Sequence, residues 1–217
     1  MYKDQQSKYC YPGTDILINK ANLRDQRKLD EFDKLVTTKR LAELVERPIK
    51  GAFDMNHLSR IHRYIFQDVY PFAGEIRSEE IAKDSFRFAN AHFIPLASRD
   101  LFQQLKRENH LIGMDVEKTA DRLSHYMAEI NVLHPFREGN GRAQREFIRS
   151  LANNAGYELN WSKVEPARIL EASIKSVTDT RDLASVILQS IVNREPNREL
   201  LRGLERPGKG KERGMER

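Results

Sequence analysis

His134-Pro-Phe-Arg-Glu-Gly-Asn-Gly-Arg-Ala-Gln-Arg145 places an imidazole, a carboxylate, a Gly-Asn-Gly turn and then Arg142 and Arg145 within twelve residues. Ahead of it, Val116, Ala120, Leu123, Met127 and Ile130 recur at helical spacing. Behind it, Ala143, Phe147, Ile148, Leu151 and Ala155 do the same. The stretch therefore reads as the link between one helix ending near Leu133 and another starting near Asn140. The first turn of the second helix carries N–H groups without intrahelical partners and the positive end of the helix dipole. Gly139 and Gly141 let the backbone approach an anion without a side-chain clash. Arg142 and Arg145, three apart, share a face and can fork onto phosphate oxygens. Glu138 would be repelled by phosphates unless a cation stood between them, and magnesium, held by carboxylate, phosphate oxygens and water, suits that position. Histidine as a residue type titrates near neutrality, so His134 beside such a cradle suits general-base work. Each member alone is commonplace: a helix-linking turn, a helix-end histidine, a solvated arginine face. Their spacing together is what points to phosphate chemistry.

Outward from this centre the chain is mostly amphipathic and helical. Asp54 is placed to cap a helix with Leu58, Ile61, Ile65 and Phe66 on its apolar face. Pro71 and Gly74 break the pattern. Ser98 to Leu111 reads as a further helix with Leu101, Phe102 and Leu105 inward. Gly156 is placed to end the helix that follows the motif. Ser162-Lys-Val-Glu165 has the form of a capping box opening the next helix, and Asp182 to Val192 is the last strongly apolar helical stretch. Residues 75–94 depart from the helical period: Phe86 and Phe88 alternate with polar residues, as on a half-buried strand. They read as a β-hairpin, or else as an irregular loop. A hairpin in a helical domain exposes edge groups suited to pairing with a partner's extended segment.

The expected class is all-α, a helical bundle with one β-hairpin. Residues 1–50 read as an N-terminal helical extension, 51–194 as the catalytic domain and 195–217 as a basic, disordered tail. Hydrophobic residues make up 39% of the chain and charged residues 32%, with a mean hydropathy of -0.67; that is polar, yet above the disordered class. The net charge is +5, and Arg194 to Arg217 contribute +3 of it. Such tails are usually solvated, and no nucleic-acid motif accompanies this one, so nucleic acid is not an expected partner. The single cysteine, Cys10, excludes an internal disulfide and fits a reducing compartment. No apolar run approaches the ~18 residues of a membrane span, and the first residues lack a secretory core. The reading is a cytoplasmic protein, or one exported into a host cell by a dedicated system.

The motif resembles the Fic family pattern, His-x-Phe-x-Glu-Gly-Asn-Gly-Arg-x-x-Arg, at every fixed position. Phe53 to Tyr70, Phe72-Ala-Gly-Glu, Ile81-Ala-Lys83-Asp and Ala128-Glu-Ile-Asn-Val-Leu-His are similar to bacterial Fic toxins and to the Fic domains of secreted effectors. The resemblance covers about residues 50–192. It implies a helical Fic fold with a hairpin flap, and transfer of AMP from ATP to a protein Ser, Thr or Tyr hydroxyl. It implies His134 as base, Glu138 as the magnesium ligand, and Gly139, Asn140 and Gly141 as the anion hole. Arg142 would hold the β-phosphate and Arg145 the γ-phosphate. Ile81 and Lys83 would clamp the target on the flap, with Lys83 and Asp84 also counted to the nucleotide site.

Many family members carry an inhibitory Ser/Thr-x-x-x-Glu helix whose glutamate pairs with the last motif arginine. No Ser or Thr of this sequence is followed four positions later by Glu. The expectation is restraint from outside, by a small antitoxin supplying a glutamate to Arg145 or by export. Transfer of UMP, phosphate or phosphocholine keeps the same fold. A silent binding module would be expected to lack His134, Glu138 or a glycine, and none is missing.

Overall fold

The computed structural model describes residues 6–83 and 86–203, with only the backbone of Lys83, Arg202 and Gly203. Its helices are α1 (Gln26–Glu46), α2 (Met55–Phe66), α3 (Ile94–Arg107), α4 (Val116–Leu133), α5 (Asn140–Asn154), α6 (Pro166–Lys175), α7 (Arg181–Ser190) and α8 (Arg198–Gly203). Between α2 and α3 lie two short antiparallel strands, β1 (Ala82–Lys83) and β2 (Phe86–Arg87), with Ala82 opposite Arg87 and Lys83 opposite Phe86. The mostly helical architecture with one hairpin is the expected one. No described helix is long and apolar enough to cross a membrane.

Aspartates start three of the helices. Asp25, Asp54 and Asp115 each accept from the backbone N–H three residues on, at 3.0, 2.8 and 2.7 Å, satisfying groups that a helix end leaves open. Pro95 sits at the start of α3 instead, where its missing N–H costs nothing. The helix after the motif ends as expected, at Gly156 with φ +90°. α5 is the centre of the bundle, packed between α2 and α4, with α7 on the far side of α4. Its Ala143, Phe147, Ile148 and Leu151 are fully buried, as are Leu123 and Ile65 from the neighbouring helices. Each large side chain so buried stabilises by about 1.5–3 kcal/mol relative to exposure. The two helices flanking the motif are thereby held rigidly.

Two sequence readings are corrected. Ser162-Lys-Val-Glu165 does not cap a helix. Asn160 caps a single 3₁₀ turn, Trp161–Lys163, by accepting from the Ser162 N–H at 3.0 Å, and α6 starts only at Pro166. Proline fixes its own φ and keeps Glu165 out of the helical region, at φ -58°, ψ 133°. The tail is not disordered from residue 195. Arg198–Gly203 is helical, and the Asn197 N–H donates to the Gly156 carbonyl at 2.8 Å; residues 204–217 lie outside the described residues.

Residues 6–50 pack onto the same core, with Leu29 and Leu44 of α1 buried. Along that face Asp33 and Thr37 are buried too. Polar residues at inward positions of a charged helix need a partner inside, and the site supplies one.

Candidate active site

Helix α4 ends in His134, whose backbone is left-handed at φ 44°, ψ 61° and whose N–H donates to Ile130 O at 2.9 Å. This turns the chain out of the helix and throws the imidazole over a cavity of about 800 Å³. Nδ1 lies 3.3 Å from Asn131 O. A carbonyl only accepts, so this contact favours the tautomer with the proton on Nδ1. Phe88, from the hairpin, stacks on the imidazole at 3.7 Å between centroids.

The start of α5 lines the same cavity. Gly139 has φ +77°, and a Cβ there would come within 2.1 Å of the Phe66 ring, so no other residue fits. Gly141 is less constrained: a Cβ would meet only the Arg145 guanidinium, at 3.3 Å. The Asn140 side chain is turned back on the loop, with Oδ1 accepting from Phe136 N at 2.9 Å and Nδ2 donating to Phe136 O at 2.7 Å. What Asn140 offers an anion is therefore its backbone N–H, one of the first-turn groups that a helix cannot satisfy itself. Glu138 is half exposed at the cavity wall. Its carboxylate accepts from the Gly139 N–H at 2.8 Å and stands 4.0 Å from Arg142 Nη2.

The two arginines differ. Arg145 lines the cavity, and desolvation, followed by the charge of Arg142, lowers its guanidinium pKa. No salt bridge to Arg145 occurs among the described residues. Arg142 also lines the cavity, but it is bound to α1: Nη1 contacts Asp33 Oδ1 and Thr37 Oγ1, the latter at 2.9 Å, and Nη2 reaches Asp33 Oδ2 at 3.1 Å. Its guanidinium also lies over Phe66, 4.5 Å from the ring centre.

His134, Glu138, Gly139, Asn140, Gly141, Arg142 and Arg145 thus line one cavity, with Phe86 and Phe88 on the hairpin side and Leu170, Ile174 and Val177 forming an apolar wall from α6 onward. Ile81 is half-buried and accepts from the Phe88 N–H at 3.4 Å; it is not among the lining residues. Lys83 is present as backbone in β1, and Asp84 lies outside the described residues.

Several residues that build the site escaped the sequence reading. His62 is fully buried between Phe66 and Phe136, donates from Nε2 to the Glu138 carbonyl at 2.8 Å, and accepts at Nδ1 from the Gly74 N–H at 2.8 Å. The Trp161 indole N–H donates to Arg145 O at 3.1 Å. Asp33, Thr37 and Arg77 complete the set. The one available signal was polarity at inward helical positions, for Asp33, Thr37 and His62; Arg77 lies outside any periodic element.

A helical bundle presenting a histidine and a glycine-bounded helix start to one cavity, with a hairpin alongside, defines a class with a known family model. Residues 52–152 match the Fic/DOC family. The chain is 40% identical over 192 residues to the probable protein adenylyltransferase y4lH of Sinorhizobium fredii, covering 88% of this chain and 98% of that one. It is 39% identical over 188 residues to the protein adenylyltransferase VbhT of Bartonella schoenbuchensis, covering 87% of this chain but only 39% of that longer protein. Among solved structures, the ADP-bound N-terminal Fic domain of a VirB-translocated Bep effector from Bartonella quintana superposes with a TM-score of 0.80 at 26% identity, over 89% of this chain and 97% of that one. The chain belongs to the Fic/DOC family.

Proposed function

We propose that the chain is a protein adenylyltransferase that moves AMP from ATP to a Ser, Thr or Tyr hydroxyl of another protein. The observation that carries this reading is that His134, the N-terminus of α5 and Arg145 line one cavity. The names of the relatives, protein adenylyltransferase, and the ADP bound in the Bep structure support the same substrate class.

In this reading His134 Nε2 takes the proton of the target hydroxyl. The oxygen attacks the α-phosphorus, the bond from that phosphorus to the bridging oxygen of the β-phosphate breaks, and pyrophosphate leaves. The first-turn N–H groups of α5 and the Arg145 guanidinium face the charge that builds on the phosphates; positioning and electrostatics supply most of the catalysis in such transfers. Arg142 contributes its charge from its seat on Asp33 and Thr37. Among the described residues no three His, Cys, Asp or Glu side chains gather to hold a metal. A lone half-exposed carboxylate suits magnesium, which keeps its waters and takes phosphate oxygens. Glu138 would hold that ion, which would neutralise charge on the α- and β-phosphates. The hairpin edge would dock an extended target segment by strand pairing, with Ile81 and Lys83 beside it.

Arg145 has no carboxylate partner among the described residues, and we assign restraint to a separate small antitoxin that supplies a glutamate to it. Co-expression with a neighbouring small open reading frame is expected to relieve toxicity; failure of every neighbour removes the antitoxin and leaves export. For the activity itself, wild type and His134→Ala are incubated with ATP labelled at the α-phosphate, and labelled proteins are identified by mass spectrometry. Label on a target with wild type only is the expected result. Equal labelling by both removes His134 as the base, and label arriving only from the γ-phosphate replaces AMP transfer by phosphorylation.

A further inference from the structure

Arg77 is 2% exposed, though it is neither in the motif nor on a helix. Among the described residues, every hydrogen bond its guanidinium makes goes to a backbone carbonyl: Nε to His134 at 2.8 Å, Nη1 to Glu79 at 2.7 Å, Nη2 to Ala89 and, at 3.4 Å, to Leu133. Its own N–H donates to Pro135 O at 2.8 Å. Glu79 and Ala89 flank the hairpin; Leu133, His134 and Pro135 are where α4 ends and the motif starts. A helix end leaves its last carbonyls without intrahelical partners, and a cation there also meets the negative end of the dipole. Burying a guanidinium is costly unless its donors are matched, and only the planar fork of arginine reaches these directions at once.

Two further contacts join the same pieces. The Ala89 N–H donates to Val132 O at 3.0 Å, and Phe88 stacks on the His134 ring at an interplanar angle of 24°. The outgoing side of the hairpin and the backbone of His134 are thus held as one body.

We infer that Arg77 is the positioning residue for His134, fixing the hairpin and the imidazole in one frame, with Phe88 as the second contact. Whatever polypeptide lies on the hairpin is then registered against Nε2 through Arg77. The inference rests on the proposed transfer reaction only for what the imidazole does; the geometry stands apart from it.

The test uses the full chain with Arg77→Lys and Phe88→Leu. Imidazole ¹⁵N NMR reads the His134 tautomer, and steady-state transfer reads kcat and KM. The expected results are a His134 tautomer balance in Arg77→Lys shifted from that of wild type, and a kcat lower by about 100-fold, the scale of a 1 Å misplacement. KM for ATP should stay within about threefold, because the phosphate wall is untouched. Phe88→Leu keeps the buried arginine and should lose kcat by about tenfold with KM unchanged. Should Arg77→Lys not fold, Phe88→Leu decides alone: a kcat equal to wild type overturns the inference. An unchanged tautomer and kcat in folded Arg77→Lys overturns it as well. If the wild-type chain transfers nothing, the proposed function fails, while the tautomer measurement still decides the role of Arg77.

Discussion

Asp33 of α1 and Arg142 of α5 face each other as a two-pronged ion pair across 109 residues of sequence, with Tyr70 OH donating to the same carboxylate at 2.9 Å. Burial, with the Asp33 charge second, pushes the Tyr70 phenol pKa well up and keeps it a neutral donor. The N-terminal helix therefore holds Arg142 of the site from behind the cavity rather than standing apart from it. Replacing Asp33 by Ala is expected to cost about 2 kcal/mol, toward the low end for a partly buried pair because Arg142 is a quarter exposed. Urea unfolding of Asp33→Ala, Arg142→Ala and the double variant gives the coupling; about 1 kcal/mol or more is expected for residues in contact, and a value near zero would show the pair to be idle.

His62 makes stability depend on pH in a definite direction. Desolvation, largest, lowers its pKa from 6.5 to about 4 in the folded chain. The unfolded chain then binds more protons between those values, so stability rises with pH across that window. The contribution is complete above about pH 6.5 and is lost as pH falls toward 4, at most about 3 kcal/mol from the size of the shift. Urea midpoints at pH 7 and 4.5 should fall further apart in wild type than in His62→Phe. Equal spacing in the two proteins would rule out His62 as the acid-sensitive group, leaving His57, His110 and His125, whose pKa values burial also lowers.

Gly139 and Gly141 should respond unequally to alanine. Gly139→Ala meets both a left-handed backbone and the Phe66 ring, for a loss of about 2–4 kcal/mol. Gly141→Ala asks only that a flexible guanidinium yield, so its melting temperature should stay near wild type while ATP affinity drops as Arg145 moves. Calorimetric titration with ATP alongside thermal melts separates the two, and similar melts for both variants would contradict the packing of Phe66.

Removal of divalent ions should abolish transfer, and added magnesium should restore it. In Glu138→Gln the magnesium concentration for half-maximal rate should rise at least about tenfold, the scale of a weakened ligand set. An unchanged magnesium curve would place the ion elsewhere.

The candidate site was legible because its residues are compressed into one stretch where turn residues and charges sit at fixed offsets, and the fold brings that stretch to one cavity. Gly139 and the helix boundaries on either side follow from backbone rules acting over a few residues. The alternation of Phe86 and Phe88 pointed to the hairpin without excluding an irregular loop, and the strands formed are only two residues each. What lay beyond reach depends on distant pairing. Nothing near residue 142 announces that Arg142 turns to Asp33. Nothing in Gly74-Glu-Ile-Arg77 marks a buried hub, because carbonyl acceptors exist at every residue and leave no trace in side-chain identity. The Ser162–Glu165 pattern misled for a local reason: a proline one residue later outranked the capping box.

Asn140 and Gly141 form the dipeptide most open to spontaneous deamidation, in which the glycine nitrogen closes on the asparagine side chain. Here that side chain is clamped at both ends by the backbone of Phe136, and the glycine nitrogen sits in a helical first turn that holds it away from the ring-closing geometry. The folded loop therefore protects its own covalent integrity. Once the loop opens, conversion to aspartate would set a carboxylate oxygen against the Phe136 carbonyl, and the clamp could not close again. Chemical ageing at this one position would keep a permanent record of how often the site has come apart.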